Sequence, residues 1–260
     1  QHGAEGCRSH GSRLSSPAGF PHVAVTPPLS VAGDRVVGMT EPVLFLSGSG
    51  LPAWIWDEVR AGLRDSCVAP RPDAPTAGPV EYAAAALAAV EWPRFTVVAH
   101  SVGGVVAQAL LAAAPDRVTG VLGVAAVWPT PGRSFTGALP APQRWLLPVI
   151  LRLAGTRPPE KQLRTGLGAG LPAATVDRLV ADFTPEARRL FVTPAPSGGV
   201  PGRAGYVHTT ADRDVPPALQ RTSAAALGGD FRRELVTGQL PMLADPAGLL
   251  AAVTDFTRTA

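Results

Sequence analysis

Residues 95–104 contain the feature that most restricts the fold of this chain. They read FTVVAHSVGG, an apolar β-branched run that breaks into a small-x-Ser-x-Gly turn, and a segment rich in Ala, Leu and Val follows. This order predicts a buried strand, a tight turn with Ser101 at its apex, and a helix. A serine in such a turn takes strained backbone angles, so its neighbours must be small, and Ala99 and Gly103 meet that condition.

Three other segments run from a predicted strand into a loop of distinctive composition. Residues 43–54 (VLFLSGSGLPAW) are an apolar strand that enters a Gly/Ser loop. Residues 206–217 (YVHTTADRDVPP) are a strand that leads to an acidic turn, and residues 234–246 (ELVTGQLPMLADP) follow further downstream.

At these residues the chain resembles the α/β-hydrolase superfamily, particularly its small lidded esterases and its hydroxynitrile-lyase-like members. The resemblance covers about residues 43–258, and the motifs follow the superfamily's order of Ser, then Asp, then His. It implies that Ser101 is a catalytic nucleophile and that Asp212 is the acid that orients the base. Asp214 is the alternative acid, although it is also placed to cap the helix that begins near Pro216.

The resemblance also implies an oxyanion hole formed by the backbone N–H groups of Ser49 and Val102. Ser49 follows Ser47-Gly48, which stands where the superfamily has a His-Gly pair. The backbone carries this role, so a serine at position 47 leaves it intact.

The chain departs from the superfamily at the position of the catalytic histidine. Relatives carry Gly-His-x-Pro in the loop after the last strand, whereas this chain has Gly238-Gln239-Leu240-Pro241. Histidine accepts the serine proton because its pKa lies near neutrality, and a glutamine amide does not titrate. Gln239 is expected to hold Ser101 by a hydrogen bond without deprotonating it, at a typical cost of about 10⁴–10⁶ in rate. The sequence leaves open whether Gln239 is native.

Neither His100 nor His208 is expected to replace this base. His100 precedes the serine and is expected to point away from the partner of its hydroxyl, and strand alternation places His208 against a helix layer. The remaining three of the five histidines lie in the first 22 residues.

The order of the predicted elements is typical of a doubly wound, mostly parallel α/β sheet. Strands are predicted at 43–47, 66–69, 95–100, 118–126, 205–209 and 232–236. Helices are predicted at 55–64, 80–91, 102–114 and 246–258.

Residues 130–203 have a different pattern, with helical apolar spacing broken by Pro and Gly. The superfamily inserts its lid at this point, over the carboxyl ends of the strands where ligands bind. A helical subdomain that packs only for stability is the alternative. Helical apolar spacing occurs twice in this segment, first at Trp145, Leu146, Val149 and Leu153, and then at Val176, Leu179, Val180 and Phe183. The residues predicted to line a substrate pocket are Trp54, His100, Phe135, Trp145 and Leu240, with Trp54 or its neighbour Trp56 also a candidate core anchor.

Residues 1–38 are rich in Gly, Pro, Ser and His and lack sustained periodicity. We predict that they are an irregular extension, that Met39 is the physiological start, and that residues 39–260 form the hydrolase domain. A native β-hairpin over the weak strands 23–25 and 35–37 is the alternative.

Composition and net charge argue against a membrane-spanning segment and against a nucleic-acid partner. The 260 residues are 46% hydrophobic and contain no apolar run near the ~20 residues that span a membrane. A net charge of +3 without a basic stripe argues against nucleic-acid binding. We expect a cytoplasmic protein that binds a small acyl compound, needs no cofactor or metal, and does not contact membranes, with a homodimer left open.

Three functions remain open from the sequence. The first is a serine hydrolase of esterase or lactonase type, impaired or altered by Gln239. The second is a non-hydrolytic cyclase, eliminase or lyase of secondary metabolism, in which Ser101, Gln239 and the oxyanion amides polarise the substrate. The third is a binding protein or pseudoenzyme that retains only the pocket.

Overall fold

A six-stranded sheet forms the centre of the molecule, and all of its described strand pairs are parallel. The computed structural model describes residues 41–196 and 198–258. The spatial order of the strands is β2-β1-β3-β4-β5-β6. The strands are β1 (Val43–Leu46), β2 (Ser66–Val68), β3 (Phe95–His100), β4 (Val118–Val124), β5 (Arg203–Thr209) and β6 (Phe231–Leu235).

Helices cover both faces of this sheet. They are α1 (Asp57–Ala61), α2 (Pro79–Ala88), α3 (Gly103–Ala113), α9 (Pro217–Leu227), α10 (Pro241–Ala244) and α11 (Pro246–Thr257). Side chains alternate between the two faces of β1. Leu44 and Leu46 lie in the core formed with α2, α3 and α9. Val43 and Phe45 lie in the core formed with α1, α10 and α11. Burial on both faces explains why the central strands β1, β3 and β4 are mainly apolar.

Two glycines bring α3 close to the strand ends. A Cβ atom at Gly103 would lie 2.5 Å from the carbonyl oxygen of Leu46, and one at Gly104 would lie 2.3 Å from that of Val127. Backbone atoms cannot move aside as a flexible side chain can, so these positions require glycine. The close approach fixes the turn that precedes α3.

A helical insertion joins β4 to β5. It contains α4 (Phe135–Ala138), α5 (Gln143–Leu153), α6 (Glu160–Gln162), a π-helical turn at Leu163–Leu167, α7 (Ala173–Asp182) and α8 (Arg189–Val192). The apolar face of α7 is buried as its spacing predicts, through Val176, Leu179 and Val180. The apolar spacing at Trp145, Leu146, Val149 and Leu153 likewise falls on a helix, α5, but these four side chains are each more than half exposed.

The predicted doubly wound α/β architecture is confirmed. The largest difference at the carboxyl end of a strand is in β4, which stops at Val124 rather than at 126, because Ala125 adopts a left-handed φ of 44° that a strand cannot accommodate. No helix within the described ranges is long and apolar enough to cross a membrane. The predictions for residues 1–38, Met39 and the alternative hairpin lie outside the described residues.

Candidate active site

Ser101 lies in the turn between β3 and α3, with a φ of 53°. Its backbone N–H donates to the carbonyl of Val124 at 3.4 Å, and its carbonyl accepts from the N–H groups of Gly104 and Val127 at 3.2 and 3.0 Å. A left-handed φ at a non-glycine residue is strained and persists only when the surroundings enforce it. The turn therefore presents the serine as the sequence predicts.

The side chains of Ser101, Gln239 and Asp212 form a hydrogen-bonded chain. We assign the orientation of the Gln239 carboxamide from its neighbours. In the opposite orientation its oxygen would face the Asp212 carboxylate, and two acceptors cannot form a hydrogen bond. In the assigned orientation Oε1 accepts from the Ser101 hydroxyl at 3.1 Å. Nε2 donates to both carboxylate oxygens of Asp212, at 3.1 Å to Oδ1 and more closely to Oδ2.

Asp212 is 4% exposed, and both of its carboxylate oxygens accept hydrogen bonds. Its Oδ1 accepts from the backbone N–H groups of Asp214 and Val215 at 2.9 and 3.0 Å, and its Oδ2 accepts from the Thr209 hydroxyl at 3.0 Å. Burial raises the pKa of Asp212 to about 6, although these hydrogen bonds favour the ionised form. The Asp212 carboxyl group is thus protonated more readily than a free aspartate, and its hydrogen bonds fix its orientation.

Gln220, fully buried on α9, fixes the loop that carries Asp212. Its carboxamide accepts from the N–H of Thr209 at 2.9 Å and donates to the carbonyls of Thr209 and Val215 at 2.9 and 2.8 Å. Nothing in the sequence marks this residue as part of the site, because a glutamine within a helix carries no local signal of a long-range contact.

The loops that follow β5 and β6 are also joined through their backbones. The N–H of Thr210 donates to the carbonyl of Leu235, and the N–H of Ala211 donates to that of Thr237, both at 3.0 Å. These bonds extend the pairing of two neighbouring strands beyond the sheet. They bring the loop with Asp212 beside the loop with Gln239.

His100 supports the site from within the core. Its Nε2 lies 2.8 Å from the backbone carbonyl of Gln239, and a carbonyl only accepts, so this contact assigns the proton to Nε2. Burial lowers the pKa of His100 to about 4, which keeps the ring neutral at pH 7. The ring also abuts Gly48, where a Cβ atom would lie 2.7 Å from Nδ1. His100 therefore packs between the loop after β1 and the loop of Gln239, rather than acting on the Ser101 hydroxyl.

His208, the other histidine weighed as a substitute base, is half-buried on β5. Its ring lies against Tyr206, with 4.6 Å between the ring centroids. It does not line the cavity at Ser101.

A cavity of about 170 Å³ lies over Ser101. Its polar lining consists of Ser49, His100, Gln162, Asp214 and Gln239 around the serine, and burial raises the pKa of Asp214. The apolar lining comes from the loop after β1, from the helical insertion and from the turn before α9. These apolar residues are Leu51, Phe135, Pro158, Leu163, Leu167, Phe183 and Val215.

Two backbone N–H groups, those of Ser49 and Val102, are predicted to form an oxyanion hole beside this cavity. Ser49 lines it, and Val102 immediately follows Ser101. Among the described residues, neither N–H has a hydrogen-bond acceptor. Both groups remain available to a ligand in the part of the chain that the structure describes.

A buried carboxylate from the insertion holds the loop that contains Ser49. Glu186, 9% exposed, accepts from the N–H of Gly50 at 3.0 Å, from Arg71 Nε at 2.6 Å and closely from the Tyr82 hydroxyl. Arg71 also donates to the carbonyl of Leu51 at 2.6 Å. The N–H of Gly50 and the carbonyl of Leu51, both within two residues of Ser49, are thereby anchored, an arrangement that the sequence did not predict.

Three residues predicted to line the pocket lie elsewhere. Trp54 packs under the guanidinium of Arg178 and donates to Asp182 at 2.8 Å, outside the cavity. Trp145 is 62% exposed on α5, and Leu240 is buried in the core formed with α11. Of the five predicted lining residues, the structure brings His100 and Phe135 to the cavity. Trp56 is fully buried and donates to the Ser47 hydroxyl at 2.9 Å, as a core anchor would.

Solved structures with the same fold include enzymes of several activities. An extracellular alpha/beta-hydrolase from a Paenibacillus species, described as homologous to tobacco salicylic acid binding protein 2, has 19% identity and a TM-score of 0.71 over 84% of this chain and 100% of that one. A pyrethroid hydrolase from Sphingobium faniae has 23% identity and a TM-score of 0.63 over 84% and 97%. A variant of tomato methylketone synthase I, in complex with β-ketoheptanoate, has 13% identity and a TM-score of 0.61 over 83% and 96%.

At these identities the likeness establishes the fold rather than the activity. A search of curated proteins finds no match to this chain. A family model described as the alpha/beta hydrolase family matches residues 43–253, which is most of the chain. The predicted resemblance is confirmed at the level of the superfamily, and the chain belongs to the alpha/beta hydrolase family.

Proposed function

We propose that this chain is a serine esterase or lactonase that acts on small, neutral, hydrophobic acyl compounds through Ser101. The observation that carries the proposal is the strained Ser101 turn, whose hydroxyl connects through Gln239 to the buried Asp212. In the proposed reaction the Ser101 oxygen attacks the acyl carbon, and the N–H groups of Ser49 and Val102 bind the oxyanion. Loss of the alcohol leaves an acyl-serine, which water then hydrolyses.

The cavity lining supports the proposed substrate class. Its walls are apolar and its volume is small, which suits a short acyl chain. Among the described residues that line it, the acidic and basic side chains are Asp214 and His100, and none is Lys or Arg. A free carboxylate or phosphate on the substrate would meet an acid without a compensating cation, so an uncharged ester or lactone fits best.

Gln239 is proposed to occupy the position of the base and to limit the rate. A carboxamide accepts a hydrogen bond but does not take up a proton near pH 7, so the hydroxyl proton has no acceptor that later returns it to the leaving alcohol. We expect activated esters to acylate Ser101 slowly, because p-nitrophenolate leaves without protonation. We expect deacylation to be slower still, because it requires an activated water.

Intact-mass spectrometry with p-nitrophenyl acetate, butyrate and hexanoate tests this proposal. The chain should accumulate an acyl adduct on Ser101 with little turnover, and Ser101→Ala should abolish the adduct. Ser47→Ala is the matched control, because that hydroxyl accepts from Trp56 and does not line the cavity. No adduct with any ester in this chain, together with no ester turnover by Gln239→His, would overturn the proposal.

A non-hydrolytic enzyme on the same site is the second candidate. The observation in its favour is the carboxamide between Ser101 and Asp212, since this polar chain can bind and polarise a carbonyl compound without covalent chemistry. The methylketone synthase among the structural neighbours carries the same fold. A thermal shift with a neutral β-keto ester, retained in Ser101→Ala and without an acyl adduct, would favour this candidate.

A further inference from the structure

Helix α5 is apolar on both of its sides, although one side faces solvent. Leu147 and Leu151 pack against the core formed with α2 and α3. On the opposite side five large apolar side chains are 53–79% exposed. These side chains, here called the outer face of α5, are Trp145, Leu146, Val149, Ile150 and Leu153.

The outer face is one continuous surface. At 100° per residue its five members fall within a single arc of the helix, adjacent to one another at spacings of one, three and four residues. A helix that is hydrophobic all round is normally buried, and large exposed apolar patches mark interaction sites. Some partner is therefore required for this surface.

The segment of sequence that carries the outer face has charges of one sign. No Asp or Glu occurs between Asp116 and Glu160, while Arg133, Arg144 and Arg152 lie in that interval. None of these three arginines forms an ion pair with a described residue.

A groove beside the first turn of α5 adds to this cationic surface. Its lining includes Arg133, Arg144 and Trp145. The Arg144 guanidinium lies 4.5 Å from the centroid of the Trp145 ring. Arg133 donates to the carbonyl of Gly137 at 3.0 Å. The groove thus combines two uncompensated cations with an exposed indole.

We propose that the outer face of α5 docks on an anionic lipid surface. The apolar side chains would enter the boundary between headgroups and acyl chains, with Trp145 at the interface and Arg133 and Arg144 against lipid phosphates. Such docking needs no membrane-spanning segment, because the helix lies in the plane of the interface. The absence of a long apolar run, which led to the expectation of no membrane contact, does not bear on this mode of binding.

A second copy of the chain fits this surface less well. An 11-residue helix is about 16 Å long and about 10 Å wide, so its outer face offers far less than the roughly 800 Å² that each partner contributes to a stable dimer. An isologous contact would also bring the same arginines together without a carboxylate from this segment. An anionic surface satisfies both the apolar and the cationic features.

Co-sedimentation with lipid vesicles tests the proposal. The chain should bind phosphatidylcholine vesicles that contain phosphatidylglycerol, bind pure phosphatidylcholine weakly, and lose affinity as salt rises. Arg144→Gln should weaken binding about fivefold, the effect of one cation near a charged membrane. The double variant Leu146→Glu, Ile150→Glu should weaken it at least about tenfold. Val80→Glu, at an exposed apolar position on α2, is the matched control and should bind normally.

Fluorescence and light scattering decide between lipid and other occupants. Vesicle binding should shift tryptophan emission to shorter wavelengths, and Trp145→Phe should lose most of that shift while it remains folded. Failure to bind anionic vesicles at low salt would overturn the proposal, as would equal binding by the double glutamate variant. So would a dimer in solution that the double glutamate variant converts to a monomer, because a second copy would then cover the outer face. These measurements do not depend on ester hydrolysis and remain informative if Ser101 is inactive.

Discussion

The Ser101 hydroxyl lies 3.1 Å from the carboxamide oxygen of Gln239, and the same carboxamide donates to Asp212. Gln239 thus connects a strained serine to a buried acid with the connectivity of a hydrolase triad. It does so with a group that transfers no proton near neutral pH. Among the described residues, the group that accepts from the Ser101 hydroxyl is this amide, which does not titrate.

His100 should make folding stability depend on pH. Its pKa is about 4 in the folded chain and about 6.5 when unfolded, so the unfolded state binds more protons between these values. Its contribution is fully present above pH 6.5 and is lost as the pH falls toward 4, by about 3 kcal/mol in total. Urea unfolding of the chain and of His100→Gln across this range should show that difference. A parallel pH dependence in the two proteins would contradict it.

The carboxylate of Glu186 should position the loop of Ser49. Glu186→Gln removes the charge that pairs with Arg71 and should cost about 2 kcal/mol of stability, because the acid is buried and the arginine is one-third exposed. Loosening of Ser49 should lower kcat about tenfold in the Gln239→His background, with little change in KM.

Glu160→Gln is the control for this measurement. Glu160 pairs with Arg164 at 2.8 Å, but both partners are well exposed, so its loss should change stability by less than about 0.5 kcal/mol. If Glu186→Gln lowers the stability of the fold but leaves kcat unchanged, the role of Glu186 is purely structural.

The close approach of α3 predicts a strong effect at Gly104. Gly104→Ala would place a Cβ atom 2.3 Å from the carbonyl oxygen of Val127 and should destabilise the fold by about 3 kcal/mol. Gly202→Ala is the control, because a Cβ atom there has no neighbour within 4 Å. Chemical denaturation of both variants measures the effect. Equal stability of the two would mean that α3 does not pack as closely as described.

Local patterns predicted the sheet well. The strand predicted at 95–100 is Phe95–His100, and the helix predicted at 102–114 is Gly103–Ala113. Both limits follow from nearby signals: a β-branched run, the glycine pair after Ser101, and Pro115 at the end. The parallel order follows from the alternation of strands and helices.

Contacts between distant segments could not be predicted in this way. Glu186 meets Arg71 across 115 residues, and Trp54 meets Asp182 across 128 residues. No local periodicity encodes which insertion residues reach the cavity. Apolar spacing in α5 predicted a helix but gave no indication of which face is buried, because both of its faces are apolar.

Steady-state hydrolysis of p-nitrophenyl butyrate by Gln239→His tests the central claim most directly. The histidine should supply the missing base between Ser101 and Asp212 and raise kcat/KM by at least about 10³-fold over the unmodified chain. Gln239→Ala should give no gain, and Gln239→His combined with Ser101→Ala should return to background. A gain of that size, lost with the serine, is the result that we predict. An unchanged rate in a folded Gln239→His variant would contradict the claim that one residue separates this site from an active hydrolase.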